Sequence, residues 1–323
     1  MRGDGASPVR MAVRFLRFMP ANPEELVRRE HRLGLAYGFA AYLFWGFFPI
    51  YLKAVASVPV MEVLSHRVVW AFLFLVVLCL RTGQLASVHA ALANRRALAM
   101  LAGSTLLIAI NWGVYIFAVV SGRMLESSLG YYINPLVNVL LGVVILGERL
   151  ETPVRFATAL AALGVASMAA SLGRVPWISV TLAISFGLYG LVRKLAPVGA
   201  LAGLLVETLL LLPFTAGFLI FRAAAGRGAF LATSGTLDLL LLLSGPLTAV
   251  PLLCFGAAAR RLPLSTLGFL QYLSPTIQFL LAVLVYREPF DAARLGAFLL
   301  IWAAVAVFAV HTARRGARRI TRA

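Results

Sequence analysis

The chain has 323 residues, of which 61% are hydrophobic and only 13% charged. Soluble globular proteins carry about 45–50% apolar residues, so this composition excludes an ordinary soluble domain. The formal net charge of +17 does not point to nucleic acid, because the basic residues crowd into tails and short loops and leave no polar domain to carry a basic face.

Residues 1–32 are polar and Arg-rich. Asn22-Pro23-Glu24-Glu25 opens a short helix in which Glu24 and Glu25 precede Arg28 and Arg29 by four, a spacing that supports an exposed helical face. Upstream, Arg10, Arg14 and Arg17 lie opposite Phe15, Phe18 and Met19, which suits a segment at the membrane interface. Apolar runs then follow at 33–55, 60–80, 97–120, 125–147, 153–171, 177–194, 198–221, 237–259, 262–286 and 292–311. Each is long enough to cross, as a helix, a hydrocarbon core about 30 Å thick. Lipid offers no partner to an open backbone, so the predicted fold is an all-α membrane protein with ten transmembrane helices. Residues 312–323 form a basic tail. With both termini cytoplasmic, 21 Lys and Arg fall on the cytoplasmic side and 7 on the other, which fits the positive-inside rule. Cys79 and Cys254 lie in apolar spans without metal-type or redox spacing and read as packing residues.

Ten spans divide into five plus five, and the sequence repeats accordingly. Arg123 to Glu148 and Arg261 to Glu288 share, in order, Arg, Ser-Ser or Ser-Thr, Leu-Gly, Pro and Glu. Pro135 precedes Glu148, and Pro275 precedes Glu288, by the same 13 positions; only the Gly-to-Pro gap differs, by two residues. Trp45-Gly46 and Lys53 recur 141 residues later as Phe186-Gly187 and Lys194, and these are the chain's two lysines against 27 arginines. An odd number of spans per half makes the second half enter the membrane from the opposite side. The expected architecture is a five-helix repeat over 33–171 and an inverted one over 177–311.

Ionisable groups inside spans are costly unless paired or wetted. Glu62 and His66 share a helix face, and Arg67 lies about 10 Å into its span at 1.5 Å per residue. Arg67 either holds an anionic or polar group of a substrate or forms a structural knot with Glu62. Glu207 falls opposite His66 in the repeat, in a run with no other charge. Burial disfavours the charged form of such a carboxylate, so Glu207 is a candidate for proton coupling, the alternative being a structural hydrogen bond or a pair with an Arg of another span. Asn134, Pro135 and Asn138 match Ser274, Pro275 and Gln278. The prolines predict helix bends, and the amides beside them either line a pore or glue helices together. Asn111, Trp112 and Tyr115 form a polar-aromatic group that is either a ligand wall or a packing cluster. Tyr131, Tyr132 and Tyr272 face a pore or the interface. Lys53 and Lys194, near span ends, either snorkel or act as gate or docking residues. Glu148 and Glu288 read as markers of the interface.

No His-Glu-x-x-His, Gly-x-Ser-x-Gly, Walker loop or dinucleotide glycine pattern is present, and the four histidines are scattered, so neither an enzyme, a cofactor nor a metal site is expected.

The segments F-W-G-F-F-P-I-Y-L-K, E-V-L-S-H-R-V-V-W, L-E-S-S-L-G-Y-Y-I-N-P-L-V-N, F-G-L-Y-G-L-V-R-K and L-S-T-L-G-F-L-Q-Y-L-S-P resemble the drug/metabolite transporter superfamily, its EamA-domain members and their RarD branch. The resemblance extends over residues 33 to 311 and implies a ten-helix inner-membrane transporter with two EamA repeats around a central cavity. It supplies no catalytic residues. The expected function is a secondary transporter of a small organic solute, metabolite or drug, working by alternating access. Asn111, Tyr115, Asn134, Asn138, Ser274, Gln278 and Arg67 would bind substrate, and His66, Glu207, Lys53 and Lys194 would serve coupling or gating. A passive channel and a non-transporting scaffold or sensor are the alternatives. The expected partners are a small-molecule substrate and the lipid bilayer.

Overall fold

The computed structural model describes residues 23–120, 124–170, 177–285 and 292–320, and within them the chain is helical with no strand. The helices are α1 (Pro23–Ala54), α2 (Val60–Arg81), α3 (Leu85–Ala93), α4 (Arg95–Val120), α5 (Met124–Val144) and α6 (Thr152–Ala170). They continue with α7 (Trp177–Leu195), α8 (Ala200–Ala224), α9 (Gly235–Arg261), α10 (Leu264–Gln271), α11 (Leu273–Leu280) and α12 (Ala292–Ile320). Six of them, α1, α2, α4, α7, α8 and α9, are long and apolar enough to cross a membrane. The remaining apolar runs read from the sequence also fall on helix: α5, α6, the α10–α11 pair and α12.

Local chemistry sets the ends. Gly83, at φ 65°, follows α2 in the left-handed conformation that only glycine adopts without strain. Asn94 Oδ1 accepts the Ala97 N–H at 3.0 Å to start α4, and Ser234 Oγ accepts the Leu237 N–H at 3.2 Å to start α9.

Three details depart from the sequence reading. The polar segment opening at Pro23 is not a separate short helix but runs unbroken into the first apolar span, since nothing between Glu25 and Gly34 interrupts helix. The connection after α2 holds an extra short helix, α3. Of the two expected proline bends, Pro135 lies inside a helix that continues through it, whereas the chain is interrupted at Tyr272, three residues before Pro275. Proline cannot donate to the carbonyl four residues back and crowds it. The interruption falls where the second repeat carries its two additional residues between Gly268 and Pro275.

Packing is mostly between the halves. α1 lies on α9 and α11, α2 on α8 and α9, α4 on α7, α5 on α7 and α10, and α6 on α12. The largest core gathers α1, α2, α4, α7, α8 and α9 around Tyr42, Leu75, Leu101, Tyr189, Leu205 and Phe255. A second joins α5, α6, α10 and α12 around Leu129, Ala161, Phe269 and Ile301.

Glycines allow the closest contacts. A Cβ at Gly46 of α1 would lie 2.8 Å from Ile277 of α11, and a Cβ at Gly187 of α7 would lie 2.7 Å from Val137 of α5. Neither has room for a larger residue. Small residues let membrane helices approach closely and gain dispersion contacts where no hydrophobic drive separates helix from lipid.

Candidate functional site

Arg67 lies two turns into α2, where α1, α2, α4 and α9 converge. Its Nε donates to Thr248 Oγ1 of α9 at 2.9 Å. The guanidinium carbon sits 4.9 Å from the centre of the Phe48 ring of α1 and 5.5 Å from that of Trp112 of α4. Tyr51, Tyr115 and Tyr131 are close enough to interact electrostatically with its charge, and Tyr115 and Tyr131 face one another at 6.0 Å between ring centroids. Arg67, Phe48, Trp112, Tyr115 and Tyr131 all keep part of their surface accessible although they surround one interior point. The group is therefore an aromatic chamber with a cation in it.

The expected alternative partner, Glu62, is engaged elsewhere. Its carboxylate pairs with Arg222 Nη2 at 2.9 Å and accepts the Ala229 N–H at 2.6 Å. This ties the α8–α9 connection to the start of α2, so the structural knot exists but Arg67 is not in it. Among the described residues no carboxylate forms an ion pair with Arg67, and its two terminal nitrogens have no hydrogen-bond partner. A buried ion costs several kcal/mol even after relaxation. Two ring contacts of about 0.5–2 kcal/mol each and one hydrogen bond of about 1.5–3 kcal/mol offset part of that and leave capacity for an anion.

Glu207 occupies a different kind of site. It is buried in α8, 3.5 Å from Arg193 Nη1 of α7, and accepts hydrogen bonds from Ser104 Oγ of α4 at 2.5 Å and from the Tyr189 hydroxyl at 3.4 Å. The pair's side chains are only 2% and 3% exposed. Gly203, one turn before Glu207, makes the space: a Cβ there would collide with the Arg193 guanidinium. The alternative sequence reading, a carboxylate paired with an Arg of another span, is the arrangement found. Trp112 and Thr248, which touch Arg67, and Tyr189 and Glu207 line one small cavity between α2, α4, α7, α8 and α9. That cavity is lined by Glu207 and by two neighbours of Arg67, not by Arg67 itself.

His66, at the position equivalent to Glu207 in the repeat, accepts the Trp70 indole N–H at Nδ1 (3.1 Å) and packs on Phe230. Its Nε2 is buried without a hydrogen-bond partner. It lies one turn from Glu62, at the same end of α2.

The amides bridge helices. Asn134 donates to the Ala183 carbonyl of α7 at 2.6 Å, Asn138 to Asn134 Oδ1 at 3.1 Å and to Gln271 Oε1 at 3.2 Å, and Asn111 to the Leu182 carbonyl and Ser185 Oγ of α7, both at 3.0 Å. Gln278 donates to the Trp45 carbonyl of α1 at 3.0 Å and to Ser274 Oγ at 3.3 Å. Each amide donates to a neighbouring helix or to the next turn of its own, and Asn138 Oδ1 is buried with no donor among the described residues. Tyr132 and Tyr272 stack on one another and are buried within the protein.

Lys194 donates to the Leu262 carbonyl at 2.5 Å and to that of Ala259 at 3.1 Å, holding the last carbonyls of α9, where a cation also meets the negative end of the helix dipole. Its repeat equivalent Lys53 lies at the end of α1 and is exposed. Glu148 does more than mark an interface: its carboxylate accepts the N–H groups of Leu264 (2.6 Å) and Ser265 (3.1 Å) and the Ser265 hydroxyl (2.7 Å), capping α10 from the other half. Glu288 lies outside the described residues. Arg193, Arg222, Phe48 and Thr248 were not among the expected site residues. The one local signal for Arg193 is the Gly203-to-Glu207 spacing, which clears room beside a carboxylate.

The EamA-like transporter family model matches residues 32–170. An uncharacterized transporter of Pseudomonas aeruginosa is 48% identical over 90% of this chain and 97% of that protein. The RarD protein of Escherichia coli is 44% identical over 89% of this chain and 98% of its own length. A chloramphenicol-sensitive protein RarD of Pseudomonas aeruginosa is 32% identical over 87% and 95%. A solved crystal structure superposes with a TM-score of 0.66 over 85% of this chain and 96% of its own, at 20% identity, which is a likeness of fold. By its apolar helices and by these relatives, the chain is a multi-pass membrane protein that belongs to the EamA-like transporter family, on its RarD branch.

Proposed function

We propose that this chain is a secondary transporter that moves a small organic solute across the cytoplasmic membrane by alternating access between two inverted five-helix halves, residues 33–171 and 177–311. The observation that carries this reading is the reciprocity of the contacts between the halves. Gly46 meets Ile277, and its equivalent Gly187 meets Val137, the equivalent of Ile277. Amides of both halves also reach across, Gln278 of the second to the Trp45 carbonyl of the first and Asn134 of the first to the Ala183 carbonyl of the second, although these two contacts are not repeat equivalents. A two-fold relation produces paired contacts like those of Gly46 and Gly187. With five spans per half its axis lies in the membrane plane, so the halves can rock and open one site to either side in turn. The family model ends at residue 170, at the boundary between the halves.

In this reading both termini are cytoplasmic. Solute sits in the Arg67 chamber, and the Glu207–Arg193 pair, whose carboxylate lines a small cavity with Trp112 and Thr248 beside that chamber, couples movement to a proton or solute gradient. Asn111, Asn134, Asn138, Ser274 and Gln278 keep the walls together, and Lys194 and Glu148 hold helix ends on the cytoplasmic side. Metabolite profiling of cells with and without the protein identifies the solute. Proteoliposomes under an imposed pH gradient then test the mechanism. Accumulation against the solute gradient, collapsed by a protonophore, is the expected result. Equilibration that never exceeds the outside concentration under any imposed ion or solute gradient would indicate a channel and overturn the reading.

A further inference from the structure

The described arginines that enter the bundle interior fall into two classes. Arg193 and Arg222 each face a buried carboxylate, Glu207 and Glu62. Arg67 instead faces ring surfaces and one threonine hydroxyl. Its Nε is used, and its two terminal nitrogens point no hydrogen bond at any described residue. Unlike the Nη1 of Arg193, they are not sealed from solvent. Thr248 therefore fixes the guanidinium plane through its inner edge while the outer edge, the fork that matches a carboxylate with two parallel bonds, is left open.

We infer that the Arg67 chamber binds the anionic end of a small organic monocarboxylate whose body is apolar or aromatic; this rests on the transporter reading above and names its solute class. The charge count selects a monoanion. One guanidinium neutralises one negative charge, and among the described residues no second cation borders the chamber to balance a phosphate dianion. The same count disfavours an amino acid or an amine. Either would bring an ammonium group, while the two buried carboxylates nearest by, Glu62 and Glu207, already hold Arg222 and Arg193. The walls supply the rest of the selection. Phe48, Trp112, Tyr115 and Tyr131 offer flat apolar surface to a ring or chain, and ring faces that already meet a cation tolerate the carboxylate only where the guanidinium covers it.

The test is binding of four size-matched probes to the full-length protein in lipid nanodiscs by calorimetry: phenylacetate, phenylacetamide, phenethylamine and phenylalanine. The expected result is that phenylacetate binds at least about tenfold more tightly than the other three, the advantage of a charge-assisted pair over a neutral contact. In Arg67→Gln that preference disappears while residual binding of the amide remains. Arg67→Lys, which keeps the charge and loses the fork, retains part of it. Arg67→Gln also gives up the Thr248 bond and the two ring contacts, so its unfolding temperature is measured on the same samples and the preference is read between probes within each variant. Equal binding of the anion and the amide, or a preference for phenylacetate that survives Arg67→Gln, overturns the inference. Counterflow in proteoliposomes separates the two levels. Exchange of the amide or of phenylalanine without the anion preserves the transporter and sinks the anion site. Tight phenylacetate binding without exchange of any probe supports the site and sinks the transporter.

Discussion

At the scale of single residues, the chain treats its interior charges in two ways. Two carboxylate–arginine pairs are closed on themselves, and one arginine is left beside aromatic rings. The Glu207 pair is the one proposed to couple transport. Its carboxylate has three partners from two other helices, Arg193, Ser104 and Tyr189, and a cavity at its side. If it takes up and releases the coupling proton, a single titrating carboxylate gives transport a dependence of up to about tenfold per pH unit. Glu207→Gln, which keeps an acceptor for Ser104 and Tyr189 but cannot ionise, should flatten that dependence while the protein still inserts. Initial rates in proteoliposomes at stepped pH decide it; a slope equal to that of the parent would make the pair structural. The sequence offered a pair with an arginine of another span as one alternative but not which arginine. Glu207 reads there as the only charge in a long apolar run, and Arg193 reads as one of the basic residues at a span end. Their meeting depends on the Arg193 side chain lying against Gly203 of α8, of which the Gly203-to-Glu207 spacing is the one local trace.

At the scale of elements, the sequence was far more informative, because lipid leaves a spanning chain little choice but helix and a length set by the bilayer. Every apolar run read from the sequence coincides with helix over the described residues. What it did not reveal is how helices end and touch. Glu148 and Glu62 look like helix-end charges in isolation, yet each holds backbone N–H groups of the other half, at α10 and at the α8–α9 connection. The equivalence of Gly46 and Gly187, by contrast, was visible as a repeat and is repeated in space. Replacing either by alanine forces a methyl group to within 3 Å of a neighbouring side chain. Overpacking of that kind costs about 1–3 kcal/mol. Gly46→Ala and Gly187→Ala should therefore lower stability by similar amounts, whereas Gly217→Ala, whose added Cβ meets nothing, should not. Unfolding in detergent monitored by tryptophan fluorescence compares the three. Unequal losses for Gly46 and Gly187 would show that the two contacts are not equivalents.

At the scale of the whole molecule, everything rests on the sense in which the halves are threaded. The connection between α2 and α4 and the one between α8 and α9 occupy the same place in their repeats. If the halves are inverted, these connections lie on opposite sides of the membrane. Ser87 in the first and Thr233 in the second are exposed and serve as single labelling sites once Cys79 and Cys254 are replaced. The decisive measurement is reaction of Ser87→Cys and Thr233→Cys with a membrane-impermeant thiol reagent in intact and permeabilised cells. The account predicts that Thr233→Cys reacts in intact cells and Ser87→Cys only after permeabilisation; labelling of both from one side would contradict it.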